Sequence, residues 1–210
     1  MTAHLHGYFR SSASWRVRIA LALKGIAFTQ ASYKLLEGEQ RGDAFLKLNP
    51  QGLVPALEID GTLLTQSLAM IEYLDETVPQ PPLLGGNALE RARIRAFAMA
   101  IACDIHPIQN LRILKRVKAV TGEAEAARRW AATVNREGLE ACAGLLPDAG
   151  TPFCFGETPT LADICLVPQM ANARRFETPL DAFPRLVRID AALRALPAFI
   201  AAAPDAVRPA

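Results

Sequence analysis

Three serines precede the first helical pattern of the chain and could hold a small anion. Ser11, Ser12 and Ser14 stand between a short apolar strand and a helical pattern, in a segment that reads YFRSSASWRVRIAL. Serine is favoured at the start of a helix. The first amides of a helix have no helical partner and lie at the positive end of its dipole. Hydroxyls and amides together could therefore bind a thiolate, although the same serines could serve only as a cap.

A second polar helix start follows a predicted hairpin. Asp60-Gly61 is typical of a two-residue turn between apolar strands, and Gln66-Ser67 then opens an amphipathic helix. Pro55 follows Val54 at the mouth of the hairpin. Because proline donates no hydrogen bond, its position fits a sheet edge, a bulge or a cis bond that exposes the backbone of Val54. Two helix starts could thus face one ligand.

The elements that position these residues form a strand-helix-strand opening followed by helices. Strands are predicted at 4–8 and 27–34, and a weak helix within 37–49. A linker rich in proline and glycine spans 79–86, and strand signals cease after it. The sequence therefore predicts an α/β domain at 1–82 and an all-α domain at 88–210.

Proline residues and helix caps mark the limits of the helices in the predicted all-α domain. Pro107 predicts a kink that frees the carbonyl of Cys103, and a second long helix is predicted over 123–146. Thr160 with Asp163 resembles a capping box with a role in folding. The next helix is predicted to end at Arg174-Arg175, and a last one to run from Pro184 through Leu196.

Composition limits the classes of partner. The 210 residues are 51% hydrophobic and 21% charged, with 23 basic against 21 acidic residues, so nucleic acid is not an expected partner. We expect a cytoplasmic protein without a membrane span. The cysteines have no spacing suited to zinc and are predicted to be reduced core thiols, with the methionines also in the core. His4 and His6 share a strand face but lack a third ligand, so no metal site is predicted.

Several motifs together resemble those of soluble glutathione transferases, and the resemblance covers essentially the whole chain. SSASWRVRIAL, QSLA, PIQN and LVPQ with NARRF resemble the zeta class, the maleylacetoacetate isomerases. CDIHP and ARRF also resemble bacterial maleylpyruvate isomerases. Ala13 stands where the family has a cysteine; we interpret that cysteine as dispensable, because the reactive thiol belongs to glutathione.

The resemblance implies a thioredoxin-like domain, a helical bundle, glutathione as cofactor and a homodimer. It implies that glutathione adds to a cis double bond of a maleyl diacid, that the bond rotates, and that elimination follows. The implied catalytic residues are Ser11, Ser12, Arg10 and Arg175, with the arginines holding carboxylates. Arg16, Arg18 and Arg174 are predicted to be surface or interdomain charges. The implied glutathione-site residues are Ser11, Gln51, Val54, Gln66, Ser67, His106, Gln109 and Asn110.

Maleylacetoacetate is the expected substrate, and maleylpyruvate is the alternative because the two share the reactive half. A general glutathione transferase would share every glutathione-site residue. A non-catalytic interaction module is also conceivable, but it would not need the serine turn and the Gln-Ser pair, which are both intact.

Overall fold

The computed structural model describes residues 2–148 and 150–209, which form two compact units. The first unit contains the residues up to Leu83 together with those from Ala195 onwards, and the second is Leu84–Arg194. The predicted second domain included the C-terminal segment, whereas this segment packs within the first unit.

The first unit is built on a four-stranded mixed sheet. Its strands are β1 (Ala3–Gly7), β2 (Phe28–Ser32), β3 (Ala56–Ile59) and β4 (Thr62–Thr65), in the order β2-β1-β3-β4. β1 and β2 are parallel, and the other pairs are antiparallel. The helices are α1 (Ser12–Leu23), α2 (Asp43–Leu48) and α3 (Ser67–Thr77). The predicted strand-helix-strand opening and hairpin are therefore confirmed, with β2 shorter than predicted.

The second unit is helical. It contains α4 (Ala88–Met99), a π-helical turn (Ala100–Ile105), a 3-10 turn (Pro107–Gln109), α5 (Leu111–Thr121), α6 (Ala126–Leu145), α7 (Leu161–Arg175) and α8 (Pro184–Arg194). The irregularity predicted at Pro107 begins earlier, at Ala100. The predicted last helix is wrong in its end: α8 stops at Arg194, and a short α9 (Pro197–Ala201) follows in the first unit.

Asp163 confirms the predicted helix cap. Its carboxylate accepts hydrogen bonds from the backbone amide and hydroxyl of Thr160, both at 2.8 Å, and from the amide of Cys154 at 2.9 Å. The side chain is fully buried, and burial raises its pKa although these donors act in the opposite direction. The residue therefore joins the start of α7 to the preceding loop.

Two predictions about charge and burial are wrong. Arg16 and Arg18, predicted to be surface or interdomain charges, are 1% and 0% exposed on α1, and their hydrogen-bond partners Ser67, Ala202 and Phe9 lie in the same unit. Cys103 is exposed, unlike the other three cysteines, and Met99 is also exposed. For the arginines, the reason is that α1 is covered along most of its length, so that its arginines lie in the interior together with its apolar residues. Arg174 forms a 2.6 Å ion pair with the buried Asp190 of α8.

No helix in the described ranges is long and apolar enough to cross a membrane.

Candidate functional site

One end of the sheet brings three loops together. β1 ends at Gly7, and the register pairs His6 with Ala56 at the start of β3 and Ala56 with Thr65 at the end of β4. Adjacent strands are about 4.8 Å apart. The serine turn after β1, the segment before β3 and the residues after β4 therefore lie side by side at this end.

Ser11 caps α1 and keeps a donor. Its backbone is extended (φ −70°, ψ 121°), and its hydroxyl oxygen accepts a hydrogen bond from the amide of Ser14 at 3.2 Å. A hydroxyl that accepts one bond can still donate its own hydrogen. Ser12 follows as the first helical residue and is buried. Ser11 can therefore cap α1 and still donate a hydrogen bond to an anion. Its role toward a thiolate stays a prediction.

Ser14 has a structural role at the same junction. Its hydroxyl accepts a hydrogen bond from the amide of Tyr8 at 3.4 Å and lies beside Gly7, where an added Cβ would come within 3.1 Å of the hydroxyl oxygen. The residue is fully buried. It therefore fixes the approach of α1 to the end of β1 and is not available to a ligand.

Gln66 and Gln51, which were both predicted to bind glutathione, are in direct contact. The side-chain amide of Gln66 donates to the side-chain oxygen of Gln51 at 2.9 Å. Gln66 has φ 66°, a left-handed conformation that is uncommon for a residue other than glycine and is often found at functional sites. This backbone directs the chain from β4 into α3.

Ser67 begins α3 and contacts a buried cation. The guanidinium of Arg16 donates to the hydroxyl of Ser67 at 3.4 Å, and both residues are largely buried. A positive group and a helix start at one place favour a bound carboxylate. Sequence reasoning missed Arg16 because its distance from Ser67 in the chain gives no local signal.

Val54 presents an unused pair of backbone groups. Within the described residues, neither its amide nor its carbonyl hydrogen-bonds to another protein group. The bond between Val54 and Pro55 is cis, one of the three arrangements that the sequence allowed. An extended peptide could pair with these groups, as a strand pairs with a sheet edge.

Arg10 precedes the serine turn and is exposed. The turn itself is ordered by a 3.0 Å hydrogen bond from the amide of Ser11 to the carbonyl of Tyr8. A guanidinium at this position can reach a ligand held at the start of α1, and its planar fork suits a carboxylate.

In the second unit, the predicted residues lie around the 3-10 turn after the π-helical turn. Gln109 is 1% exposed, and both polar atoms of its side chain lack a hydrogen-bond partner within the described residues. A buried amide without partners is uncommon. Its arrangement is therefore suited to a polar ligand or to bound water.

Asn110 and His106 flank this amide. Asn110 caps α5, because its side-chain oxygen accepts from the amide of Ile113 at 3.2 Å. His106 is half-buried, and its amide donates to the carbonyl of Ile101 at 2.9 Å. Trp130 of α6 donates its indole N–H to the carbonyl of Ile108 at 2.7 Å and so holds the segment in place. Roles of His106 and Asn110 toward a ligand stay predictions.

Arg175 ends α7, as predicted. Its guanidinium carbon lies 5.5 Å from the centre of the Phe176 ring, and the residue is exposed. Arg174, its neighbour, is held by Asp190. Arg175 is thus an exposed cation at the end of α7, and its planar fork suits a carboxylate.

Burial keeps two of the thiols, those of Cys142 and Cys154, protonated at neutral pH. Burial raises the pKa of Cys142 to about 12 and the pKa of Cys154 well above the ordinary value. No group of three histidine, cysteine or acidic residues in the described ranges could hold a metal ion.

Comparison with known proteins agrees with this geometry. The family model described as glutathione S-transferase, N-terminal domain, matches residues 10–77. Maleylacetoacetate isomerase of Rhizobium meliloti (strain 1021) is 49% identical over 207 residues, which are 98% of this chain and 97% of that protein.

Two solved structures are similar over nearly the whole chain. The holo structure of a maleylpyruvate isomerase, described as a bacterial zeta-class glutathione S-transferase, has a TM-score of 0.94 and 44% identity, covering 98% of both chains. Maleylacetoacetate isomerase from Anaeromyxobacter dehalogenans 2CP-1, solved with glutathione in the active site, has a TM-score of 0.89 and 41% identity, covering 99% of this chain and 97% of that one. The chain therefore belongs to the glutathione S-transferase family, in the group that contains the maleylacetoacetate and maleylpyruvate isomerases.

Proposed function

We propose that the protein is a glutathione-dependent cis-trans isomerase that converts maleylacetoacetate to fumarylacetoacetate. The observation that carries the proposal is the meeting, at one end of the sheet, of a capped helix start at Ser11, the unused backbone groups of Val54 and the Gln51–Gln66 pair. These groups suit three parts of glutathione: the anionic thiol, the peptide backbone and the polar γ-glutamyl end. The relatives described above carry the corresponding names.

Glutathione would supply a thiolate that adds reversibly to the cis double bond and so allows rotation. Within the chain, the hydroxyl of Ser11 and the amides of the first turn of α1 stabilise negative charge on sulfur. A free thiol has a pKa of about 8.5, so each unit of lowering corresponds to about 1.4 kcal/mol of preferential thiolate stabilisation. Ser12 is the second candidate for this donor.

The substrate side of the reaction needs cations. Arg10 lies next to the serine turn, and Arg175 lies at the end of α7 in the second unit. We assign both to the substrate carboxylates and to the charge that develops beside them. Gln66 and Ser67 hold the γ-glutamyl end of glutathione, and Gln51 and Val54 its peptide part. We also assign His106, Gln109 and Asn110 to glutathione binding, as the family resemblance implies.

Maleylpyruvate is the second candidate substrate. The similarity to the structure of a maleylpyruvate isomerase, at a TM-score of 0.94, supports maleylpyruvate as a candidate substrate. Both substrates present a cis double bond between carbonyl groups and end in a carboxylate, so the same arginines serve either one. The choice between them depends on the length of the group beyond the shared half.

Isomerisation of the two substrates, followed side by side with and without glutathione, tests the proposal. We expect turnover only with glutathione, and a loss of kcat/KM of about a hundredfold in Arg175→Ala, because one guanidinium–carboxylate contact is removed. Arg136→Ala, which removes an exposed arginine of α6, serves as the control and should keep full activity. If neither substrate is converted while glutathione binds, the isomerase proposal is wrong and a general transferase takes its place.

The proposal includes a cytoplasmic homodimer, as the family resemblance implies. The mass of the protein at micromolar concentration, measured by light scattering, should be that of two chains. A monomer under these conditions would contradict this part of the proposal without affecting the chemistry.

A further inference from the structure

The side chain of Arg18 connects two distant segments of the first unit. Its Nε donates to the carbonyl of Ala202 and its Nη2 to the carbonyl of Phe9, both at 2.9 Å. The residue lies in α1 and is 0% exposed. One planar group therefore ties the C-terminal segment to the turn between β1 and α1.

The turn that Arg18 contacts is the one that carries the proposed chemistry. Phe9 immediately precedes Arg10 and Ser11, and its carbonyl lies inside the turn closed by the Ser11–Tyr8 hydrogen bond. A shift of this carbonyl would move both the guanidinium of Arg10 and the cap at Ser11.

The C-terminal segment reaches Phe9 a second time through the ring. The guanidinium carbon of Arg208 lies 5.4 Å from the centre of the Phe9 ring. The segment is itself anchored, because Phe199 of α9 and Ala202 are 2% and 3% exposed. The backbone and the ring of Phe9 are thus both held from residues near the end of the chain.

The guanidinium of Arg18 is buried at a cost in free energy, and its donor geometry explains why an arginine stands there. Within the described residues it forms no ion pair, and its Nη1 is buried without a hydrogen-bond partner. Burial lowers its pKa to about 10. A buried charge without a carboxylate is unfavourable, and an apolar side chain would fill the space more cheaply. A guanidinium, however, offers its donors in a fixed planar fork, which reaches the carbonyls of Phe9 and Ala202 from two different nitrogens, whereas a lysine carries all its donors on one nitrogen.

We propose that Arg18 is a positioning residue that holds the turn of Tyr8 to Ser11 against the C-terminal segment, so that residues 195–209 form part of the glutathione-binding unit. The proposal rests on the proposed function for its catalytic consequence. Displacement of the segment should then disturb the positions of Arg10 and Ser11 without any contact between the segment and the ligand.

Hydrogen exchange in the ligand-free protein tests the coupling without reference to activity. We expect Arg18→Met to accelerate exchange about tenfold both in the peptide that contains 8–11 and in the one that contains 197–203, because each loses a hydrogen-bonded anchor. Arg18→Lys should accelerate at least one of the two. Lys24→Met is the matched control: it removes another buried cation at the end of α1, but the acceptors of Lys24 are Asp75, Val78 and Pro81.

Kinetics of the same variants separate positioning from general loosening. At saturating glutathione we expect kcat to fall about tenfold in Arg18→Met, since misplaced Arg10 and Ser11 stabilise the transition state less well. Lys24→Met should keep kcat within about twofold once the folded fraction is accounted for.

Four outcomes decide between the proposals. Unchanged exchange at 8–11 in Arg18→Met contradicts the coupling, as does equal acceleration of that peptide in Lys24→Met once the change in global stability of each variant is accounted for. Accelerated exchange with unchanged kcat contradicts the positioning role. A wild type that binds no glutathione contradicts the proposed function instead, and the exchange measurement then still decides whether Arg18 holds the turn.

Discussion

The two units bury charges of opposite sign. Among the described residues, the buried histidine, lysine, arginine and carboxylate side chains of the first unit are the bases His6, Arg16, Arg18 and Lys24, whereas those of the second unit are the acids Asp163 and Asp190. Arg18 and Lys24 donate to backbone carbonyls, and Asp163 accepts from backbone amides.

This difference shows how a buried charge is accommodated. Loops and helix ends leave carbonyls without partners, and cations satisfy them; helix starts leave amides without partners, and a carboxylate satisfies them. For Arg18, Lys24 and Asp163, the sign of the buried charge therefore follows from the backbone groups that it completes. These three charges are consequently costly to remove, because their backbone partners would remain unpaired.

Asp163→Ala should give the largest loss of stability. It leaves the amides of Cys154 and Thr160 and a hydroxyl without their acceptor, at a cost of about 4 kcal/mol in the free energy of unfolding. Denaturant unfolding measures this loss, with the exposed Asp181→Ala as a control that should leave stability unchanged. A loss below about 1 kcal/mol would show that other groups satisfy these donors.

Lys24→Met tests the opposite sign in the first unit. The ammonium of Lys24 donates to Asp75 and to the carbonyls of Val78 and Pro81, each at 2.6 Å. Removing it should cost about 3 kcal/mol, because a partly buried carboxylate loses its counter-charge. The exposed Lys34→Met, which breaks the surface pair with Glu37, should have no measurable effect. Equal stability of the two variants would contradict this interpretation of Lys24.

The comparison also predicts that His6 and Asp190 give the stability opposite dependences on pH. These are the smallest of the expected effects. Burial, with the nearby His4, lowers the pKa of His6 from 6.5. The unfolded chain therefore binds the proton more readily, and stability falls as pH decreases from about 7 to 5. Burial raises the pKa of Asp190 from 3.8, with Arg174 acting against the shift. Its contribution is greatest below the ordinary pKa and is lost as pH rises through the folded value.

Unfolding measured across pH in wild type, His6→Gln and Asp190→Asn checks both signs. The difference between wild type and His6→Gln should increase with pH, and the difference between wild type and Asp190→Asn should decrease. If both stability differences changed with pH in the same direction, the comparison between the units would be contradicted.

Local features of the sequence predicted more than distant ones. The cap at Asp163 depends on groups three and nine residues away, and the cap at Ser11 on a group three residues away. Their residue types and spacing are therefore visible in a short window. The Asp60-Gly61 hairpin and the Gln66-Ser67 helix start were predicted for the same reason.

Contacts between distant residues could not be predicted in this way. Arg18 and Ala202 are 184 positions apart, and Arg16 and Ser67 are 51 apart. Arginine is usually exposed, so its position on α1 indicated a solvated face. Only the packing of α1 against α3 and α9 makes that face internal. The missed π-helical turn likewise depends on how α6 packs against it, since an added Cβ at Gly138 would clash with Ile105.

The central claim is that the start of α1 stabilises the thiolate of bound glutathione. Its most direct test is a pH titration of the ultraviolet absorbance of that thiolate in wild type, Ser11→Ala and Ser12→Ala. We predict that the bound thiol of the wild type ionises at least about one unit below the free value of roughly 8.5, and that Ser11→Ala shifts it back toward that value more than Ser12→Ala does. A wild-type titration like that of free glutathione, or one that is unaffected by Ser11→Ala, would contradict the account.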